Sequence, residues 1–318
     1  MAVTLRGKPR IAETSQKIQF SNDEATVDLT KHGFKYDTVE VEGANLKFWH
    51  GGSGPLLVMI PGGGGVGARF NPVAMKMAKH YTVASYDRRA CSGSTGDIDR
   101  PMNPYQQAED LAAVIRAVGY AKASIFGNSV GGTIALEFAA RFPDMCEAVV
   151  AHEAPTMSIL PDSGDQFKFT FGIEKAFSEH GQRVAGRLMH ARHRGLDEDP
   201  QWVFKQSNNA KTHEGGIPNG DFFFGKEMLV TMVYTPDLFT LRHNGVPVAL
   251  GCGAESRKDP TGRCTFRQAE ILAAPHVLFP GHHLVFLYDF SDVLLHTLAT
   301  LRALPRLKFA HRALESKL

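Results

Sequence analysis

The hexapeptide Gly127-Asn128-Ser129-Val130-Gly131-Gly132 has the residue types and spacing best suited to covalent chemistry in this chain. A G-x-S-x-G turn between a strand and a helix holds its serine in a strained conformation and lifts the hydroxyl clear of the sheet, with small flanking residues making the room. Lys122-Ala123-Ser124-Ile125-Phe126 reads as a short buried strand, and Thr133 to Phe142 carries apolar residues at helical spacing and stops before Pro143. A serine hydroxyl is a weak nucleophile at neutral pH. It needs a base within hydrogen-bond reach and an acid that orients the base.

The base is expected late in the chain, where a strand ending Val277-Leu278-Phe279 runs into a Pro280-Gly281 turn that delivers two adjacent histidines, His282 and His283. Most of the 14 histidines must be ordinary surface or core residues, but a turn that follows a strand near the C-terminus is a place for a catalytic one. For the acid, the loop after the next-to-last core strand reads Gly253-Ala254-Glu255-Ser256, with serine where Gly-x-x-Asp hydrolases commonly carry aspartate. An earlier strand, Ala148-Val149-Val150-Ala151, ends in His152-Glu153-Ala154-Pro155. In a parallel sheet the strand after the nucleophile's helix normally lies beside the nucleophile's strand, so Glu153 projects from the same rim and is assigned as the acid. Asp259 and Glu255 are the alternatives.

These segments identify the chain as resembling an α/β-hydrolase: a mostly parallel central sheet flanked by helices, with an inserted, mainly helical cap. Within that superfamily, Phe126 to Gly132, Arg141-Phe142-Pro143-Asp144 and Ala151 to Thr156 are similar to the fungal zearalenone lactonases and related bacterial hydrolases, which use Ser, His and Glu. The resemblance spans roughly residues 45–160 and 225–300 and implies Glu153 as the acid. Its pattern Pro-Gly-x-His-x-x-aromatic falls on Pro280 to Phe286 and selects His283 over His282.

Acyl transfer also requires donors aimed at the developing oxyanion. The amide after the nucleophile belongs to Val130. The second should come from Pro61-Gly62-Gly63-Gly64-Gly65, and the resemblance places it at Gly63. A phosphate-cradling reading of these glycines is weak, because no Gly-Lys-Ser/Thr follows and no G-x-G-x-x-G opens a helix. Asp87-Arg88-Arg89-Ala90-Cys91-Ser92-Gly93-Ser94 resembles the Asp-x-Arg-Gly-x-Gly-x-Ser turn of these hydrolases, with Ala90 in place of glycine. Asp87 and Arg88 are read as scaffold.

Residues 1–36 read as a poorly apolar leader, 37–155 as the first part of the core, opening with an edge hairpin, and 156–240 as the helical cap, rich in Phe and carrying Trp202 and Phe204. Residues 241–318 complete the core and end in a tail. The 318 residues, 43% hydrophobic and 21% charged, suffice for a large core without disulfide support. The formal charge of +2, from 35 basic and 33 acidic side chains, gives no electrostatic case for nucleic acid or an anionic membrane. No apolar stretch approaches the roughly 20 residues that span a bilayer. Cys91, Cys146, Cys252 and Cys264 show no metal-ligand spacing, so reduced thiols are expected and neither metal nor cofactor is required.

Ser316-Lys317-Leu318 at the C-terminus matches the peroxisomal address, which implies an import receptor as partner and the peroxisome as location, with the cytoplasm otherwise. A homodimer is the assembly that symmetry statistics favour. The expected activity is hydrolysis of a carboxylic ester or lactone of a bulky, largely apolar small molecule through an acyl-enzyme, in fungal specialised metabolism if the resemblance holds. A peroxisomal acyl-CoA thioesterase or a carbon-carbon bond hydrolase is the alternative within the fold, and a non-catalytic ligand-binding protein is the alternative of another class.

Overall fold

Strands β1 (Lys35–Val41) and β2 (Ala44–Gly52) form an antiparallel hairpin, and β1 leaves charged residues such as Lys35, Asp37 and Glu40 along the open edge. Next come β3 (Leu56–Ile60), α1 (Asn71–Met77), β4 (Thr82–Tyr86), α2 (Pro104–Ala117), β5 (Ala123–Asn128), α3 (Val130–Arg141) and β6 (Cys146–His152). The chain then leaves the sheet for α4 (Ser163–His180), α5 (Gln182–His190), α6 (Asn219–Phe222), a π-helical turn (Phe223–Glu227), α7 (Met228–Val233) and α8 (Leu238–Asn244). It returns through β7 (Val248–Gly253), α9 (Pro260–Leu272), β8 (His276–Phe279) and α10 (Ser291–Ala303). The computed structural model describes residues 27–193 and 217–304.

The eight strands form one sheet in the order β1-β2-β4-β3-β5-β6-β7-β8, with every pair from β4 to β8 parallel. The sequence dictates that burial. β3, β4, β5 and β7 are buried along their whole length, as strands covered on both faces must be. Alternate side chains of β3 go to opposite layers: Leu56, Val58 and Ile60 pack with Leu111, Ile134 and Phe138, while Leu57 and Met59 pack with Phe70, Phe126 and Leu294. α2 begins where Asn103 Oδ1 accepts the Tyr105 amide at 3.0 Å and Pro104 occupies the first helical position.

Two expectations shift. The core reaches into the expected leader, because Leu29 and Phe34 are buried, Phe34 lies edge-on to Trp49 at 5.6 Å, and β1 starts at Lys35. Two apolar anchors in a polar stretch were too few to show as periodicity. The helical segment after β6 runs past 240 to Asn244. Trp202, Phe204 and the Ser316-Lys317-Leu318 tail lie outside the described residues.

Helix α3 lies so close to the sheet that a Cβ at Gly131 would collide with the carbonyl oxygen of Ile60, and one at Gly127 with the carbonyl of Gly131. Backbone cannot yield as a side-chain tip does. Gly131→Ala is therefore expected to cost about 2 kcal/mol or more in urea unfolding. An unchanged midpoint would mean that α3 does not sit on β3 in this way.

Candidate active site

Ser129 stands between β5 and α3 with φ 55° and ψ −120°, and Glu153, one residue past β6, has φ 47°. Such left-handed conformations cost a non-glycine residue of order 1–3 kcal/mol and persist only where surrounding bonds enforce them. Here the ladder continues beyond the strands. Ser129 N donates to His152 O and Glu153 N to Gly251 O, both at 2.8 Å. The two strained residues thus sit at the tips of adjacent parallel strands.

The Glu153 side chain is fully buried, yet four donors surround its carboxylate. Oε1 accepts the Gly253 amide at 2.9 Å and the Ser256 hydroxyl; Oε2 accepts Thr261 Oγ1 at 2.7 Å and His283 Nδ1 at 2.8 Å. Burial pushes the carboxyl up, but the hydrogen bond from His283, the electrostatic effect of the His283 and His152 imidazoles and the Ser256 hydroxyl outweigh it and hold it well below the usual carboxylate range. The serine that departs from the aspartate pattern is therefore a donor to Glu153. An aspartate there would set a second carboxylate against the first.

A carboxylate only accepts, so Nδ1 of His283 is the donor in this bond, which fixes the ring's orientation. His282 points elsewhere: its Nδ1 accepts the Leu284 amide at 3.2 Å and its ring stands edge-on to Tyr288 at 5.4 Å. Glu255 is exposed and Asp259 starts α9, whereas the hydrogen bonds of His283 Nδ1 run to Glu153 and, at 3.5 Å, Thr261.

Asn128 joins the three strand ends. Its Nδ2 donates to His283 O at 3.0 Å and to His152 Nδ1 at 3.0 Å. The latter leaves the His152 proton on Nε2, beside the Phe279 ring at 5.2 Å. Val130 is the first residue of α3, so its amide lies at a helix N-terminus. Gly62 lies over the elbow, close enough that a Cβ on it would be 3.2 Å from Ser129 Cβ; one on Gly63 would strike the Phe223 ring. The expected residues thus gather at the C-terminal ends of β3, β5, β6 and β8.

Sequence reasoning missed several neighbours. Glu227 and His193, whose ring is 5.4 Å from that of His283, come from the helical segment after β6 and belong to no motif, and Phe223 is one of a run of phenylalanines there that the sequence could not tell apart. Thr261 and Asn128 lie in or near motif segments, but nothing in their spacing marks them as donors. Among the described residues, no group of three or more His, Cys, Asp or Glu side chains could hold a metal ion, and no helix is long and apolar enough to cross a membrane.

The sequence model of the alpha/beta hydrolase fold family matches residues 55–289. The chain is similar to the uncharacterized hydrolase YraK of Bacillus subtilis, 27% identical over 253 residues that cover 77% of this chain and 88% of that protein. It is also similar to 2-(acetamidomethylene)succinate hydrolase of Mesorhizobium japonicum, 28% identical over 127 residues, 39% of this chain and 44% of the relative. Among solved structures, the enol-lactonase of Burkholderia xenovorans superposes with a TM-score of 0.61 at 17% identity, covering 83% of this chain and 99% of that one. An esterase of Thermogutta terrifontis gives 0.65 at 15% identity, covering 85% and 100%. At such identities the superpositions establish the fold.

Burial pushes His152, His193 and His276 down to about 4 each. In the unfolded chain these imidazoles titrate near 6.5 (about the ordinary value), so below that pH the unfolded state binds more protons and stability falls with pH. Urea unfolding between pH 6.5 and 5 should show a slope of up to about 1.4 kcal/mol per pH unit for each of the three. A flat profile would mean that they are not buried as neutral rings.

Proposed function

The chain belongs to the alpha/beta hydrolase fold family, and on that premise we propose that it is a serine hydrolase cleaving a carboxylic ester or lactone of a bulky, largely apolar molecule through an acyl-enzyme. The observation that carries the reading is the 2.8 Å bond from His283 Nδ1 to the buried Glu153, beside a serine held at φ 55°. A buried carboxylate behind an imidazole fixes its tautomer and orientation and compensates the imidazolium that forms.

In this mechanism His283 Nε2 removes the proton as Ser129 Oγ bonds to the acyl carbon. The Gly63 and Val130 amides bind the oxyanion. Collapse breaks the bond to the alkoxide leaving group, which takes the proton from His283; in a lactone that alcohol stays tethered to the acyl group. Water then adds to the acyl-enzyme, gives a proton to His283, and the acid leaves as Ser129 recovers its own. Glu153 stays ionised throughout, consistent with its lowered titration.

Support for an apolar substrate comes from Phe223, whose ring lies against Gly63. Support for ester or lactone as the bond comes from an enol-lactonase and an esterase that share the fold.

The test is turnover of p-nitrophenyl esters, a macrocyclic lactone and an acyl-CoA by wild type and Ser129→Ala, with labelling by a fluorophosphonate. Loss of activity by about 10⁴-fold or more with the fold intact is expected. Glu153→Gln should lower kcat far more than Asp259→Asn. Full activity or undiminished labelling of the Ser129→Ala variant would refute the reading.

A further inference from the structure

We infer that Arg88 and Glu227, a buried ion pair read from the sequence as scaffold on one side and unnoticed on the other, aim the Gly63 amide and so make the helical segment 219–233 part of the oxyanion site. The inference rests on the hydrolase reading above.

Both side chains are inaccessible to solvent. Arg88 Nη1 meets Glu227 Oε1 at 2.5 Å and Nη2 meets Oε2 at 3.0 Å, a bidentate fork. The same guanidinium reaches the glycine loop, donating from Nε to Pro61 O at 3.1 Å and from Nη2 to Gly62 O at 2.8 Å. Glu227 Oε2 accepts the Gly64 amide at 3.1 Å, and Arg69 Nη1 donates to Gly63 O at 2.7 Å. Three successive peptides are thus gripped by charged side chains.

The geometry of a trans peptide gives this grip its meaning. Carbonyl and amide of one peptide point in opposite directions, so a fixed Gly62 O fixes the direction of the Gly63 N–H. Gly62 O is held from two sides, by Arg88 and by the Gly65 amide at 3.0 Å. The neighbouring groups are claimed: the carbonyls of Pro61, Gly62 and Gly63 by arginine and the amide of Gly64 by Glu227. Among the described residues no acceptor meets the Gly63 amide, which is left for the ligand.

A buried ion pair is seldom kept for stability, because desolvation offsets most of its attraction. An oxyanion donor, in contrast, gains from being held before the reaction starts. Glu227 belongs to the π-helical turn Phe223–Glu227, a widened turn of a kind often found at functional sites. Phe223 from the same turn covers Gly63. Movement of this segment therefore carries both the cover and the anchor of the loop. Arg88 and Glu227 touch no reacting atom and act as positioning residues.

The test uses the full chain with p-nitrophenyl butyrate as substrate and a fluorophosphonate whose phosphoryl oxygen enters the oxyanion site. Glu227→Gln keeps the shape and removes the charge. It should lower kcat and the rate of Ser129 phosphonylation in parallel by about tenfold, with KM within threefold of wild type. Arg88→Met combined with Glu227→Leu removes the pair without stranding either charge, and a folded double variant should lose about a hundredfold in both rates, the scale of one lost oxyanion donor. A merely structural pair would move the thermal midpoint and leave kcat and phosphonylation unchanged. Wild-type rates in Glu227→Gln, or in a folded double variant, would overturn the inference. Should the double variant fail to fold, Glu227→Gln alone decides. Undiminished labelling of Ser129→Ala would instead defeat the hydrolase reading itself.

Discussion

The carboxylate of Glu153 is the constraint on which the rest of the site depends. An ionised carboxylate out of water costs several kcal/mol unless its lone pairs are filled, and Glu153 has no solvent exposure at all. Its four donors come from the end of β7, the loop beyond it, the first turn of α9 and the loop after β8. The second half of the sheet must therefore be in register for this charge to be tolerated.

Asn128 completes the arrangement from the side of Ser129. One amide nitrogen is shared between the backbone of His283 and the ring of His152, so the elbow, the strand that leads to Glu153 and the loop that carries His283 meet at a single side chain. The strained φ angles of Ser129 and Glu153 are affordable because adjacent parallel strands bond across them. Packing of α3 onto β3, through glycines without a Cβ, sets the height at which the serine stands.

The Arg88–Glu227 pair plays a matching part at the glycine loop, where peptides rather than side chains must be aimed. Glycine-rich backbone has little preference of its own and needs outside bonds to hold one orientation. Arg88, Arg69 and Glu227 supply them. Two buried carboxylates thus organise the region, Glu153 behind the His283 ring and Glu227 behind the glycine loop.

Much of this was legible in the residues alone. The elbow, its flanking strand and helix, the alternation from β3 to β6 and the place of Glu153 just past a strand end follow from local signals, glycine spacing and apolar runs, whereas the preference for His283 over His282 came from the family resemblance. Such signals act over a few residues, where steric and hydrogen-bonding rules bind closely. Tertiary structure alone decided that Ser256 and Thr261 serve Glu153, that His282 turns away, that Leu29 and Phe34 belong to the core, and that Glu227 meets Arg88 across 139 positions of chain. Partnership between a buried charge and its donors is set by where distant segments meet in space, and no local periodicity records it.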